Sequence, residues 1–256
     1  MATQRTIVIT GASSGIGAAL ATHLGNAGHR LVLAARSREG LEAVARAAGS
    51  DARVVVTDVT RRAEVERLRD EAIRAFGQID VWVNNAGQGI DKRVLDLTDA
   101  DFDAMMTVNV KSALYGMQAV MQHFMPRNAG HLINVSSFLG RVPLATNRSA
   151  YNAAKAALNA LTANLRVDLR ATHPGIRVTL VMPSVVSTDF SRNALASTGS
   201  TPGRSPLQPQ TAEEVAVIIG DLIDHPKAEI FTNPGAPALA KRYLDDVGAF
   251  EEGAGR

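Results

Sequence analysis

The sequence predicts an α/β domain in which a doubly wound parallel sheet of about seven strands carries helices on both faces. Three observations lead there. Short apolar runs rich in β-branched residues recur along the chain, segments with helical spacing lie between them, and no repeat, linker or change of composition divides residues 1–256. Parallel strands covered on both faces read as continuous apolar runs, and regular alternation of strand and helix implies right-handed crossovers. With 256 residues, 46% hydrophobic and 20% charged, the chain is long enough to bury one large core. A single domain is expected.

Taken in order, the strands are expected at residues 6–10, 31–34, 54–56, 81–83, 132–135, 178–182 and 230–232. Helical spacing marks residues 18–27, 61–76, 102–124 and 150–170. In the second of these, Val65, Leu68, Ala72, Ile73 and Phe76 form one stripe. The stretch 189–210, rich in Ser, Thr, Gly and Pro, breaks the rhythm. Loops of this length inside compact domains are commonly functional, and this one is expected to be a lid over a site.

Composition removes several functions. The 27 Lys plus Arg against 25 Asp plus Glu leave a formal charge of +2, too weak a field to expect a nucleic-acid partner. The lack of cysteine excludes disulfides, a thiolate nucleophile and thiolate-bound metal. His23, His29, His123, His131, His173 and His225 show no ligand spacing, so no metal site is expected. No apolar run nears ~18 residues, and residues 1–6 are polar. No membrane partner is expected, and the expected compartment is the cytoplasm.

The first strand runs into Gly11-Ala12-Ser13-Ser14-Gly15-Ile16-Gly17 and then an alanine-rich helix. Gly11 suits the positive φ of a sharp turn, Gly15 admits a pyrophosphate close to the backbone, and Gly17 permits tight helix packing. The helix amino end adds unpaired N–H donors. The same letters also spell G-x-S-x-G, with Ser13 as a hydrolase nucleophile. Only one strand precedes Ser13, however, which leaves no earlier loop for an oxyanion hole, and the last histidine, His225, is followed at once by Pro226. Phosphate binding is the stronger reading.

Tyr151 and Lys155 are four residues apart at the start of a helical pattern, so they share a face. An ammonium beside a phenol favours phenolate and would draw the tyrosine pKa below its usual ~10, toward the range of a general acid or base.

Together these motifs resemble the short-chain dehydrogenase/reductase family, in its branch of short single-domain subunits with a Rossmann-type fold. The likeness spans about residues 5–232. Residues 10–17 resemble the family's cofactor turn, with Gly11, Ser13, Ser14, Gly15, Ile16 and Gly17 as contacts. Asp58 and Val59 resemble its adenine contact, and Asn84-Asn85-Ala86-Gly87 its central-sheet signature, in which Asn85, Ala86 and Gly87 also meet the cofactor. Asn109, Ser137, Tyr151 and Lys155 match the catalytic tetrad, and Tyr151 and Lys155 touch the cofactor as well. Pro183, Val186 and Thr188 lie in a segment similar to the one beside the nicotinamide. Two departures stand out: Ser184 replaces the usual glycine, and the stretch from Ser137 to Tyr151 is one residue longer than is typical. Ser137 is preferred to Ser136 because it keeps the family's Ser-x-x-Gly phrase through Gly140.

The resemblance implies an NAD(P)-dependent enzyme that interconverts a carbonyl and a secondary or primary alcohol by hydride transfer. Tyr151 would exchange the proton, Lys155 would lower its pKa and hold the ribose, Ser137 would bind the substrate oxygen, and Asn109 would order a proton relay. The alternative is a nicotinamide-binding sensor or scaffold without turnover, which retention of all four residues disfavours. The position after strand 2 that is acidic in NAD-selective folds is Ala35, followed by Arg36 and Ser37, with Arg38 a weaker second charge. NADP(H) is therefore expected over NAD(H). Phe138, Leu139, Val142, Leu144, Val185 and Phe190 flank the motifs, either as walls of an apolar pocket or as ordinary packing. Arg141 and Arg148 are candidates to meet an anionic substrate or to be solvated. The family also implies a homo-oligomer, a tetramer or a dimer, formed through the long helices on either side of strand 5. The small Ala150, Ala153, Ala154 and Ala157 would allow close approach there.

Overall fold

In the computed structural model, residues 3–49, 51–188, 190, 194, 195 and 206–254 are described. Seven parallel strands form one sheet: β1 (Thr6–Thr10), β2 (Arg30–Ala35), β3 (Ala52–Val56), β4 (Val81–Asn84), β5 (Gly130–Val135), β6 (Ile176–Met182) and β7 (Glu229–Phe231), in the order β3-β2-β1-β4-β5-β6-β7. All seven expected strands are present, within two residues of the expected ends. The order runs outward from β1 in both directions, so the chain winds to one side up to β3 and to the other from β4 onward. That reversal opens a crevice at the carboxyl ends of β1 and β4.

Alternation along each strand sorts the core into two layers. Ile7 and Ile9 of β1 face helices α1 (Gly15–Asn26), α2 (Arg38–Ala48) and α7 (Ala212–Asp224), whereas Val8 faces α3 (Arg62–Phe76), α5 (Ser112–Phe124) and α6 (Ser149–Arg170). The helix ends follow local chemistry. Gly77, at φ +80°, closes α3 with its N–H on the Ile73 carbonyl, and Thr211 and Glu214 form a capping box at the start of α7. The helix expected over 102–124 begins as α4 (Asp99–Met106), passes through a π-turn over Thr107–Lys111 and continues as α5. Two more helices, α8 (Ala236–Asp245) and α9 (Val247–Ala254), follow β7.

A buried polar chain locks the second layer. The Trp82 indole N–H donates to Asn84 Oδ1 at 2.7 Å. Asn84 Nδ2 donates to the Ala113 carbonyl and to Asn134 Oδ1, and Asn134 Nδ2 donates to Thr162 Oγ1. A Cβ on Gly116 would stand 2.1 Å from Asn84 Oδ1, so α5 sits this close to β4 only because residue 116 is glycine. Such networks rigidify a core when each member is satisfied.

Of the lid stretch 189–210, residues 189, 191–193 and 196–205 lie outside the described residues. Its two ends are pinned. Leu195 pairs with Ile90, and Gln210 pairs with Val186 while exchanging side-chain hydrogen bonds with Thr232. The expected oligomer surface needs correcting, because Ala150 and Ala154 are buried inside the chain and only Ala153 and Ala157 of the four retain exposure.

His131 in β5 is buried, with Nε2 and Thr179 Oγ1 sharing a hydrogen bond of 2.8 Å. Burial first, then the charges of Arg5 and Arg177, push its pKa down to about 4 from 6.5. Between those values the unfolded chain binds a proton that the folded chain refuses, so stability falls on acidification through this window. The full displacement is about 3 kcal/mol. Denaturant titrations at pH 7 and 4.5 should show His131→Gln losing clearly less stability between the two than wild type. Equal losses would place the acid sensitivity elsewhere.

Candidate active site

The crevice floor is made where the turn after β1 meets the turn after β4. Thr10 Oγ1 donates to the Val83 carbonyl and accepts the backbone N–H of Asn85 and of Ala86, at 3.0 and 3.2 Å. Asn85 Nδ2 returns hydrogen bonds to the carbonyls of Thr10 and Gly11. Gly11 has φ +66°, and a Cβ there would lie 2.8 Å from Ala86 Cα, while one on Gly17 would lie 2.3 Å from the Gly11 carbonyl oxygen. These two positions need glycine for space. Gly15, at φ +54°, needs it for conformation. Ser14 caps α1 without a side-chain hydrogen bond, and the first turn of α1 has no acidic residue, so the positive end of the helix faces the crevice.

The crevice encloses about 590 Å³. At one end lie Ala35, Arg36, Ser37 and Thr57 to Thr60; the middle is Gly11, Ser13 to Ile16 and Asn85 to Gln88; Val108, Thr188 and Phe190 close the other end. The expected contacts Gly11, Ser13, Ser14, Gly15, Ile16, Arg36, Ser37, Asp58, Val59, Asn85, Ala86, Gly87 and Thr188 all line it. Gly17 lies beneath the floor. Pro183 accepts the Phe138 N–H, and Val186 packs on the first core layer; neither is in the wall. Sequence reasoning missed Thr57, Thr60, Gln88 and Val108. Thr57 follows β3 as Arg36 follows β2, and strand carboxyl ends are where such folds bind, so that signal was available. A glycine-lined cradle at an uncapped helix end, with a basic residue at its far end, fits a dinucleotide.

Arg36 is exposed, and its charge reaches Asp58. Partial burial pushes the Asp58 carboxyl up, but two hydrogen bonds from Thr60 and the charges of Arg36 and Arg61 outweigh it and hold the group below its ordinary range. Ser37 Oγ accepts the Gly40 N–H as the cap of α2, and Arg38 pairs with Glu42 outside the crevice wall.

Tyr151 and Lys155 stand in the first turns of α6, both buried. Ser136 extends the ladder to β6 and gives its hydroxyl proton to Asn159 Oδ1 at 2.5 Å, a structural role. Ser137, one residue on, hydrogen-bonds the Tyr151 phenol. Asn109 lies in the π-turn. Its Nδ2 donates to the Gln88 carbonyl at 2.9 Å and its Oδ1 accepts the Gln88 N–H, a two-point clamp on the chain after β4. A Cβ on Gly87 would lie 2.9 Å from Asn109 Oδ1 and 3.5 Å from Lys155 Nζ, so these two stand behind the crevice wall at Gly87, with Tyr151 beside Lys155; none of Asn109, Ser137, Tyr151 and Lys155 is itself in the wall.

The electrostatics differ from the expected phenol lowered by its lysine. Burial pushes Tyr151 up to about 12, against opposing contributions from Ser137 and Arg148. Burial also pushes Lys155 down to about 8. Lys155 Nζ donates to the Val135 carbonyl at 3.0 Å and stands 5.6 Å from the phenol ring centroid. Desolvation disfavours each charge and is the largest influence on both groups.

The apolar candidates part company. Leu139 and Phe190 join Tyr151, Ile90 and Leu195 in one cluster, whereas Phe138, Val142 and Leu144 pack with α8. Val185 is 40% exposed. Arg141 pairs with Glu229 of β7, and Arg148 lies near the phenol. Ser184 Oγ is buried without a hydrogen-bond partner. Among the described residues no group of three His, Asp or Glu could hold a metal ion, and no helix is long and apolar enough to cross a membrane.

The short chain dehydrogenase family profile matches residues 5–198. An uncharacterized oxidoreductase of Staphylococcus aureus (strain USA300) is 36% identical over 216 residues, 84% of this chain and 90% of its own. A short chain dehydrogenase/reductase from Burkholderia phymatum, solved in complex with NAD, superposes with a TM-score of 0.84 at 28% identity over 96% of this chain and 95% of its own. An alcohol dehydrogenase from Thermococcus sibiricus, complexed with 5-hydroxy-NADP, does so with 0.77 at 27% over 90% and 96%. With a matching crevice, fold and profile, the chain belongs to the short-chain dehydrogenase/reductase family and is an NAD(P)-dependent oxidoreductase.

Proposed function

We propose that this protein uses NADP(H) to interconvert a carbonyl and a secondary or primary alcohol, with Tyr151 as the general acid and base. The observation that carries the reading is the cluster in which Ser137 and Lys155 stand beside the Tyr151 phenol while Lys155 and Asn109 stand against Gly87 of the crevice. When bound, the nicotinamide supplies or takes the hydride. Tyr151, at about 12, holds its proton at neutral pH and is poised to give it to a carbonyl oxygen. Ser137 orients that oxygen. Lys155, buried beside the phenol, stabilises the charge that develops as the proton leaves. Asn109 fixes the chain at Gln88, which borders the reacting end.

Tyr151→Phe should lower turnover roughly 100-fold or more while cofactor affinity stays within about threefold. Lys155 is protonated below about 8 and loses its charge above it, so carbonyl reduction should decline as pH rises through about 8. Steady-state rates from pH 6 to 10 check both. Near-wild-type turnover by Tyr151→Phe would overturn the acid assignment.

The preference for NADP(H) rests on Ala35, which offers no carboxylate to repel a 2′-phosphate, and on the exposed guanidinium of Arg36 beside it. A charge-assisted hydrogen bond of about 1.5–3 kcal/mol corresponds to roughly 10- to 150-fold discrimination. The ratio of kcat/KM for NADPH over NADH should fall by that order in Arg36→Ala. Equal use of NADH by wild type would refute the preference.

The protein is further proposed to be cytoplasmic and a homo-oligomer, a tetramer or a dimer. The outer face of α6 keeps Ala153 and Ala156 exposed beside a groove of about 730 Å³ that includes Val94. Val94 and its neighbour Leu95 are 70% and 98% exposed. Contiguous exposed apolar surface of this kind marks association sites. Light scattering at micromolar concentration should give a dimer or tetramer mass, and a monomer mass would count against it.

A further inference from the structure

Among the described residues Phe190 is the one aromatic side chain in the crevice wall. Its ring meets Tyr151 edge-on, with centroids 5.5 Å apart, and it borders the crevice at the end that holds Val108 and Thr188. Its backbone N–H donates to Thr188 Oγ1 at 3.3 Å. Nearby, Leu195 donates to the Gly89 carbonyl at 2.9 Å and accepts the Asp91 N–H at 3.2 Å. A Cβ on Gly89 would stand 3.0 Å from the Phe190 ring and 2.5 Å from Arg148 Nη1, so residue 89 leaves room for both.

The surroundings of the phenol divide by chemistry. Polar and charged influence comes from Ser137 and Arg148, with the Lys155 ammonium near the ring. The packed groups are carbon: Ile90, Val108, Leu139, Phe190 and Leu195. Of these, Val108 and Phe190 also border the crevice, so a carbonyl that reaches Tyr151 from it passes carbon, where a charged substituent loses hydration with little return. An aromatic flank meets a ring already placed for edge or face contact.

Resting on the oxidoreductase reading above, we propose that Phe190 is a specificity-determining residue and that the site takes a neutral carbonyl or alcohol bearing an aromatic group on the reacting carbon. The substrate ring packs on Phe190 while its oxygen meets Tyr151 and Ser137. Arg148 is the competing influence, since its charge would favour an anionic flank instead.

Three ketones separate these: acetophenone, butanone and 4-acetylbenzoate, reduced with NADPH by wild type, Phe190→Ala and Phe190→Leu. Wild type should favour acetophenone over both others by at least about tenfold in kcat/KM. Phe190→Ala should lower the acetophenone-to-butanone ratio roughly five- to tenfold, and Phe190→Leu by less. An unchanged ratio in Phe190→Ala, or a wild-type preference for 4-acetylbenzoate, overturns the assignment. Calorimetric binding of acetophenone to NADP-loaded Tyr151→Phe, with and without Phe190→Ala, tests recognition apart from turnover. Weaker binding on loss of Phe190, with turnover surviving Tyr151→Phe, would sink the chemical reading and leave this one standing. Equal binding would sink this one alone.

Discussion

Thr10 and Asn85 hold the backbones after β1 and β4 against each other through five hydrogen bonds, and most of the site depends on how close those backbones are. The sheet reverses its winding between these two strands, so their carboxyl ends diverge and leave a crevice. Without the cross-ties the crevice would have no floor. With them, any side chain on residue 11 or 17 collides with backbone, which no rotamer change relieves. The same knot sets the start of α1 and fixes the path of residues 86–88, which Asn109 then clamps from the other side. Cofactor cradle and catalytic end thus share one rigid support.

Burial governs the chemistry on that support. Burial pushes the phenol up to about 12 and the neighbouring ammonium down to about 8. Both shifts come from removing charge from water. A phenol so placed keeps its proton at neutral pH. Gly140 contributes to that burial, since a Cβ there would stand 2.7 Å from the Lys155 carbonyl carbon.

Much of this was legible in the sequence, for physical reasons. Strands covered on both faces leave unbroken apolar runs, and all seven strands were read from them. The cradle could be read because its contacts are backbone contacts, which constrain residue type at fixed spacing to glycine. Tyr151 and Lys155 were legible because helical periodicity places them on one face. The π-turn at Asn109 was not, since residues 102–124 carry helical spacing throughout and only the clamp to Gln88 reveals the extra residue in the turn. Ala150 and Ala154 do not belong to the outer face: alanine is compatible with either side, and only their burial, for Ala150 in the cluster with Tyr151, decides. Nor did sequence foresee that burial would dominate at both Tyr151 and Lys155, because spacing reports proximity and says nothing of solvent.

What escaped the sequence lies mainly on the substrate side, and the reason is structural. The cofactor half is assembled from turns that immediately follow β1, β2, β3 and β4, so each contact is local to a strand end. The substrate half joins residues far apart in the chain: Leu195 pairs with Ile90, Lys92 with Arg148, and Phe190 packs on Tyr151. These contacts are between side chains or short bridges, and they tolerate many residue types. A wall of that kind can change its chemistry without disturbing the floor beneath it. The turns after the strands therefore constrain residue type at fixed spacing, whereas the packing of Phe190 on Tyr151 is made by side chains that a neighbouring sequence could exchange without moving the sheet.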